Sequence, residues 1–159
     1  MSRGIPLQVQ WERRFEDWSF TVPSFSIDGT DCFINHVNNR RPAAPDKMFF
    51  SYKHSHDGLR YWVCLHIYNP LMVAAGGGYP PGQFNDVTIA KHDVIPYMLP
   101  NEKGLADGGY QEATQRFMTP IGANRRLRRQ LSVTDIDLYH IAHKQVRSRH
   151  EHINAELKE

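Results

Sequence analysis

The chain has 159 residues, of which 40% are hydrophobic and 11% aromatic, enough apolar material for one domain with a buried core and too much for general disorder. No apolar run approaches the roughly 20 residues that a membrane-spanning helix needs. The start lacks the charged and apolar regions of a signal peptide. We therefore expect a soluble intracellular protein, nuclear or cytoplasmic.

Charge is unevenly distributed along the chain. The net charge is only +2, but residues 116–159 hold nine Lys or Arg against five Asp or Glu, a local charge of +4. A local excess of this kind can attract a phosphate backbone even when the whole chain is nearly neutral.

The cysteine and histidine patterns do not indicate a zinc site. Cys32 and Cys64 lie in apolar strand-like runs without Cys-x-x-Cys spacing, which is typical of small buried hydrophobes in a reducing compartment. The nine histidines lack a matching set of cysteine partners, so we interpret them as solvated or hydrogen-bonded side chains.

Aromatic residues near the start predict a short helix. Trp11, Phe15 and Trp18 have helical spacing, and Pro23 ends the segment. We predict a helical extension over residues 1–23 and a single domain over residues 24–159.

The next third of the chain has the composition of β-strands. Alternation predicts a strand at residues 25–34, followed by a polar, Pro-rich loop at 35–46. Residues 61–68 are apolar on both faces, as in a central strand. A turn and a returning strand at 71–75 complete a β-hairpin, which the glycine-rich stretch 76–82 is expected to end.

Helical periodicity returns at Asn85 or Asp86, either of which can cap a helix through Leu99. Its buried face is predicted to contain Val87, Ala90, Val94 and Met98. Short strands at 104–107 and 117–121 and a basic loop at 124–130 then lead to the last helix.

Ser132 or Thr134 can cap this last helix. Its predicted apolar stripe consists of Tyr139, Ala142, Val146, Ile153 and Leu157. A neighbouring polar stripe contains His143, Arg147 and Glu151. The order of strands and helices indicates a mixed α/β protein.

Three acids stand in settings that could aim them at one site. Asp28 follows a strand-like run, Asp107 follows an apolar pair and precedes two glycines, and Glu151 borders the buried face of the last helix. Simpler interpretations remain open for each: a turn-forming role for Asp28 and Asp107, and a surface ion pair with Arg147 for Glu151, with Glu156 as the competing acid. Asp86 has an equally open alternative as a helix N-cap.

Five short motifs occur in one order along the chain. They are Asp28-Gly29-Thr30, Ser51-Tyr52-Lys53, Gly82-Gln83-Phe84-Asn85-Asp86, Asp107-Gly108-Gly109-Tyr110 and Arg147-x-x-x-Glu151. In this order the chain resembles DDE transposase-type nucleases, and among them the Harbinger-type DDE superfamily endonucleases. The resemblance covers residues 28–158. The chain departs from the family pattern at Gln83, at Asn85, and at Tyr139-His140.

The resemblance implies an RNase H-like fold with a mixed β-sheet flanked by helices, forming the nuclease domain at residues 24–159. It implies a metal-dependent endonuclease that cleaves phosphodiester bonds in DNA. Asp28, Asp107 and Glu151 would be the catalytic residues, and together with Asp86 they would bind Mg²⁺ or Mn²⁺. Carboxylate oxygens suit such hard cations, and two of these ions can activate water and neutralise a phosphate together.

DNA is the expected partner, and no membrane is expected. Basic residues of the loop and last helix are the candidates for phosphate contacts: Arg125, Arg126, Arg128, Arg129, Lys144 and Arg147. A solvated loop or a nuclear-localisation patch remains the alternative for the arginine cluster. A separate DNA-binding accessory protein and a homo-oligomer are compatible with this interpretation.

A second hypothesis is a catalytically inactive descendant that binds DNA or protein. It is favoured by the departures from the family pattern and by the lack of a helix-turn-helix pattern before Asp28.

Overall fold

The computed structural model describes residues 10–15, 23–34, 47–69, 71–121, 130 and 132–156. Within these ranges the strands are β1 (Phe25–Phe33), β2 (Phe50–Ser51), β3 (His56–His66), β4 (Met72–Tyr79), β5 (Gly104–Leu105) and β6 (Phe117–Met118). The α-helices are α1 (Asp86–Asp93) and α2 (Val133–Glu156). Short 3₁₀ helices lie at Trp11–Phe15, Ile95–Tyr97 and Gly108–Ala113.

The strands form one mixed sheet in the order β2-β3-β1-β5-β6, and β4 also pairs with β3. β1 pairs antiparallel with β3 from Phe25 to Phe33, and its other neighbour, β5, runs parallel to it. β6 is parallel to β5. The predicted mixed α/β class, with an open sheet flanked by helices, is confirmed.

The two faces of β1 contact different layers, because successive side chains of a strand point to opposite faces. Phe25 and Ile27 belong to the main hydrophobic core. Ser26 and Asp28 face the other way, and both hydrogen-bond to side chains of α2. β1 is therefore covered on both sides.

The main core combines strand, helix and loop residues. Its buried members are Trp11, Phe25, Ile27, Trp62, Cys64, Val73, Ala74, Val87, Ile89, Ala90, Val94, Met98, Ala106, Tyr110, Ala113 and Phe117. All four residues predicted for the buried face of α1 and its continuation are among them. The prediction that Cys64 is a buried hydrophobe is also confirmed, whereas Cys32 is only half-buried.

The predicted strand at residues 25–34 is confirmed as β1, but the place of Asp28 at a strand end and the predicted ends of the strands at 71–75, 104–107 and 117–121 were wrong. Asp28 does not end β1, because the strand keeps its pairing with β3 as far as Phe33. β4 does not stop before the triple glycine but continues to Tyr79. The pairing with β3 shifts there between Arg60 and Tyr61, and Gly77 and Gly78 have positive φ angles of 145° and 83°. These glycines accommodate an irregularity within the strand rather than terminate it.

The prediction that the helix after Asn85 runs through Leu99 was wrong. α1 ends at Asp93, and Ile95–Tyr97 continues as a 3₁₀ helix. Pro96 explains the change, since it has no N–H for the α-helical ladder and disfavours α geometry in the residue before it.

The caps of both α-helices follow the sequence. Asn85 caps α1, because its side chain accepts a hydrogen bond from Thr88 N at 2.8 Å. At the start of α2, Ser132 Oγ accepts from Asp135 N at 3.1 Å and donates to the Asp135 carboxylate at 2.6 Å. The predicted cap at Ser132 is confirmed.

The predicted apolar stripe of α2 is confirmed at Val146, and Tyr139 and Ile153 are half-buried, but the prediction was wrong for Ala142. The buried positions are His143, Val146, His150 and Asn154, whereas Ala142 is exposed. The three polar side chains tolerate burial because each has a hydrogen-bond partner on the sheet or the loop beside it. A rule that assigns burial by hydrophobicity alone misses this face.

Of the predicted extension over residues 1–23, the structure describes 10–15 and the last residue. Trp11 packs into the core against Phe25, with ring centroids 5.2 Å apart. Leu157, the rest of the extension and most of the basic loop lie outside the described residues. Among the described helices, none is both long and apolar enough to cross a membrane.

Candidate acidic site between the sheet and the helices

Asp28 and Asp107 come together because β1 and β5 are adjacent and parallel. The register pairs Ser26 of β1 with Leu105 of β5. Asp28 and Asp107 each follow one of these paired residues by two positions, so both lie in the same direction along the two strands. Asp28 is still within β1, whereas Asp107 begins the loop that leads into the 3₁₀ helix Gly108–Ala113. The predicted convergence of these two acids agrees with their positions in the sheet.

Asp86, the first residue of α1, reaches the same place. A methyl group on Gly29 would lie 2.3 Å from Asp86 Oδ1, so only glycine leaves room for this carboxylate beside β1. A methyl group on Gly109 would lie 3.0 Å from Asp107 Oδ1 and 3.8 Å from Asp86 Oδ2. Asn85 supplies the helix cap, so Asp86 is not needed for that role.

The local roles of Asp28 and Asp107 do not saturate their carboxylates. Asp107 Oδ1 accepts a hydrogen bond from Gly109 N at 2.8 Å and caps the 3₁₀ helix. Asp28 Oδ1 accepts from Gly29 N at 2.9 Å. The turn-forming role predicted for Asp107 therefore uses only one of its carboxylate oxygens. Both acids can still accept bonds from a ligand.

Burial and neighbouring acids raise the pKa of two acids of the site, against the opposing charges of Lys53 and Arg60. Burial, followed by the charge of Asp107, raises the pKa of Asp28 from 3.8 to about 6. Burial also raises the pKa of Asp86; Arg60 opposes this shift and Asp107 adds to it. Arg60 Nε lies 3.5 Å from Asp86 but only 2.7 Å from Asp31. Its charge is thus shared between two acids.

Tyr110 borders the acids from the 3₁₀ helix. Its side chain is 1% exposed, and its hydroxyl has no hydrogen-bond partner among the described residues. Burial and then the charges of Asp86 and Asp28 raise its pKa well above 10. A buried hydroxyl without a partner is costly, and a polar ligand bound next to it would remove that cost.

The donor atoms fit a hard divalent cation, because carboxylate and hydroxyl oxygens are the ligand types that Mg²⁺ and Mn²⁺ prefer. In the part of the chain that the structure describes, however, no group of three or more His, Cys, Asp or Glu side chains is arranged to hold an ion. A cation bound to Asp28 and Asp107 would thus need water, phosphate or another oxygen to complete its coordination.

α2 forms the opposite wall of a cleft at this site. The cleft is lined by Ser26, Ile27, Asp28, Leu105, Ala106, Asp107, His143, Val146, Arg147 and His150. His143 Nε2 donates to Ala106 O at 2.8 Å, and His150 Nε2 lies 2.8 Å from Ser26 Oγ. These contacts fix α2 against the ends of β1 and β5.

Glu151 does not line the cleft. Its side chain is 66% exposed and accepts a hydrogen bond from Arg147 Nε at 3.3 Å, which matches the surface ion pair that the sequence left open. The competing acid, Glu156, is also exposed and lies 3.2 Å from His152. A metal-binding role for Glu151 remains a prediction.

The candidate DNA contacts are described only in α2. Lys144 is exposed, and Arg147 is exposed while also lining the cleft. The four arginines at positions 125, 126, 128 and 129 lie outside the described residues.

Sequence reasoning missed Asn154, whose Nδ2 donates to Asp28 Oδ2 at 3.1 Å. It follows His143, Val146 and His150 at steps of three and four residues, the spacing of one helix face. The same spacing would have predicted Asn154 if polar residues had been considered as candidates for the buried face of the helix.

Comparisons of this chain with protein-family models, curated proteins and solved structures found no match. The assignment of chemistry to the acidic site therefore depends on the residues and their geometry.

Proposed function

We propose that this chain is the catalytic domain of a divalent-metal-dependent DNA endonuclease with an RNase H-like fold, similar to Harbinger-type DDE transposases. The observation that carries the proposal is the convergence of Asp28, Asp86 and Asp107 from three separate parts of the chain. Three buried or half-buried acids repel one another. Their placement at one site is explained if they bind a cation.

Mg²⁺ or Mn²⁺ bound to Asp28 and Asp107 would supply an activated water and neutralise the phosphate in phosphodiester hydrolysis. Asp86 would be an accessory ligand, and Glu151 the predicted third catalytic acid. Arg147 lies at the cleft and would contact the DNA backbone next to the scissile bond. Lys144 would extend this contact along the exposed side of α2.

The proposal predicts that the purified protein nicks supercoiled plasmid DNA in the presence of Mg²⁺ or Mn²⁺. Asp107→Asn should reduce the rate at least about 100-fold, because loss of a charged ligand weakens both metal binding and charge stabilisation. Asp137→Asn, a charge-matched change at an exposed position of α2, should leave the rate unchanged. Equal nicking by Asp107→Asn would identify a contaminating nuclease.

A catalytically inactive, transposase-derived module that binds DNA or protein is the second candidate. It is favoured by one observation: Glu151 is exposed and paired with Arg147 rather than directed into the cleft. In that case saturating Mg²⁺ should neither raise the melting temperature nor support cleavage. DNA should still bind, with an affinity that falls as salt rises and with a smaller salt dependence in the Lys144→Ala, Arg147→Ala double variant.

A further inference from the structure

We propose that Asn154, and not Glu151, is the residue through which α2 completes a cation site with Asp28 and Asp107. This inference rests on the proposed function, since it assigns a further ligand to the same site. It concerns which side chain of α2 takes the third position.

Asn154 already contacts the acid that the cation would share. Its Nδ2 donates to Asp28 Oδ2 at 3.1 Å, across 126 positions of sequence. The residue is 9% exposed, so its amide group is held between α2 and β1 rather than extended into solvent. The only other acceptor oxygen of Asp28, Oδ1, faces Gly29 N.

The second polar atom of this amide has nothing to bind. Asn154 Oδ1 is buried and has no hydrogen-bond partner among the described residues. An unpaired buried carbonyl destabilises a fold, so an apolar residue would be more stable at this position unless the oxygen binds a ligand. A neutral carbonyl oxygen is a suitable ligand for Mg²⁺ or Mn²⁺.

One side chain can serve the site both with and without a cation. Without a cation, the NH₂ group faces the Asp28 carboxylate and partly compensates its charge. With a cation, Nδ2 keeps this bond to Asp28 Oδ2, and the unpaired Oδ1 would bind the ion or a water molecule of its hydration shell.

Glu151 is less well placed for this role. Its carboxylate is 66% exposed and pairs with Arg147, whereas the helix face against the sheet contains His143, Val146, His150 and Asn154. Asn154 therefore lies on the buried face of α2, whereas Glu151 does not.

The Tyr110 hydroxyl provides an independent indication that a polar ligand belongs here. It is buried, lacks a hydrogen-bond partner among the described residues, and is influenced by the charges of Asp86, Asp28 and Asp107. Three buried polar atoms of this region thus lack a partner among the described residues: Asn154 Oδ1 and His150 Nδ1 from α2, and the Tyr110 hydroxyl from the 3₁₀ helix. A polar ligand bound beside the acids would give such atoms the partner that they lack.

The test is Mn²⁺ binding by the full chain, measured as loss of the free-ion signal in electron paramagnetic resonance and as the shift in melting temperature. We expect Asn154→Ala to weaken Mn²⁺ binding about tenfold or more, and Glu151→Gln to change it less than about twofold. Asp28→Asn should abolish binding. If Asn154→Ala binds Mn²⁺ like the wild type, or Glu151→Gln loses as much affinity, the inference is wrong.

Asn154→Asp separates ligation from folding. A fourth carboxylate should lower the melting temperature in chelator but tighten Mn²⁺ binding, whereas a purely structural amide would lose stability without a gain in affinity. Failure of the wild type to bind Mn²⁺ would overturn both the proposed function and this inference. Binding that is lost in Asp28→Asn but unchanged in both Asn154 variants would overturn the inference alone.

Discussion

Burial and neighbouring acids make the charged form of Asp28 unfavourable in the folded protein. Asp28 is half-buried, its side chain contacts Asn154 of α2, and burial and the charge of Asp107 raise its pKa to about 6. An acid whose pKa is higher in the folded than in the unfolded state destabilises the fold once the pH exceeds both values. At neutral pH the charged Asp28 therefore opposes folding, and the proposed cation would offset this effect.

Asp28→Asn should consequently stabilise the metal-free protein. A shift from 3.8 to about 6 corresponds to about 3 kcal/mol at pH 7.5, and a gain of about 1–3 kcal/mol is expected because the amide can still accept from Gly29 N. The gain should shrink as the pH falls from 6 toward 4, since the wild-type acid becomes neutral. Urea unfolding in chelator measures it, and a destabilised variant would show that Asp28 has a structural role.

A site residue could be predicted from the sequence only where its neighbours in the chain mark it as a candidate. Asp28 and Asp107 are recognisable because each sits beside glycine and follows apolar residues. Nothing next to Asn154 marks it, since its partner is 126 positions away. The sequence indicated that Gly29 could allow another group to approach the backbone closely. Only the fold shows that this group is the Asp86 carboxylate.

At the scale of elements, α2 is held to the sheet mainly by polar contacts. Three of its four buried residues are His143, His150 and Asn154, and each bonds to a different group near the site. The sequence pattern predicted this helix, and Ser132 predicted its cap, but hydrophobic periodicity did not predict its buried face. The same limit applies to β4, where three glycines continue a strand because pairing with β3 overrides their low strand propensity.

His143→Ala should show how much one of these contacts contributes. His143 Nε2 donates to Ala106 O, so its removal leaves a carbonyl beside Asp107 without this donor and opens a gap against β5. We expect a loss of about 1–3 kcal/mol in the free energy of unfolding. His140→Ala, three positions earlier and exposed, is the matched control and should cost less than about 0.5 kcal/mol. Equal losses would mean that helix propensity, not the contact, is measured.

At the scale of the whole molecule, the described N-terminal segment is part of the folded domain. Trp11 packs against Phe25, and Arg14 lies 4.1 Å from the centre of the Trp11 ring. Arg14 Nε also donates to Glu102 at 2.7 Å, and both side chains are almost fully buried. The sequence showed the aromatic spacing, but a charged pair separated by 88 positions has no local signature.

Glu102→Gln should weaken this connection strongly. Glu102 also accepts from Ser24 Oγ at 2.6 Å and from Leu99 N at 2.7 Å, and removing its charge leaves Arg14 buried without a counter-ion. Breaking a buried pair in this way costs about 3–5 kcal/mol. Glu12→Gln is the matched control, since Glu12 is 89% exposed and 3.9 Å from Arg14; it should change stability by less than about 0.5 kcal/mol.

The pH dependence of the Glu102 effect follows from the same contacts. Burial alone would raise the pKa of Glu102, but hydrogen bonds from Arg14 and Ser24 outweigh it and lower the pKa below 4.5. A lowered pKa stabilises the fold fully above the unfolded value, and the contribution is lost as the pH falls through the folded value. The stability difference between wild type and Glu102→Gln should therefore be constant from pH 6 to 8 and diminish below about pH 4.5. A difference that persists unchanged in acid would mean that the shape of the carboxylate, and not its charge, holds the N-terminal segment in place.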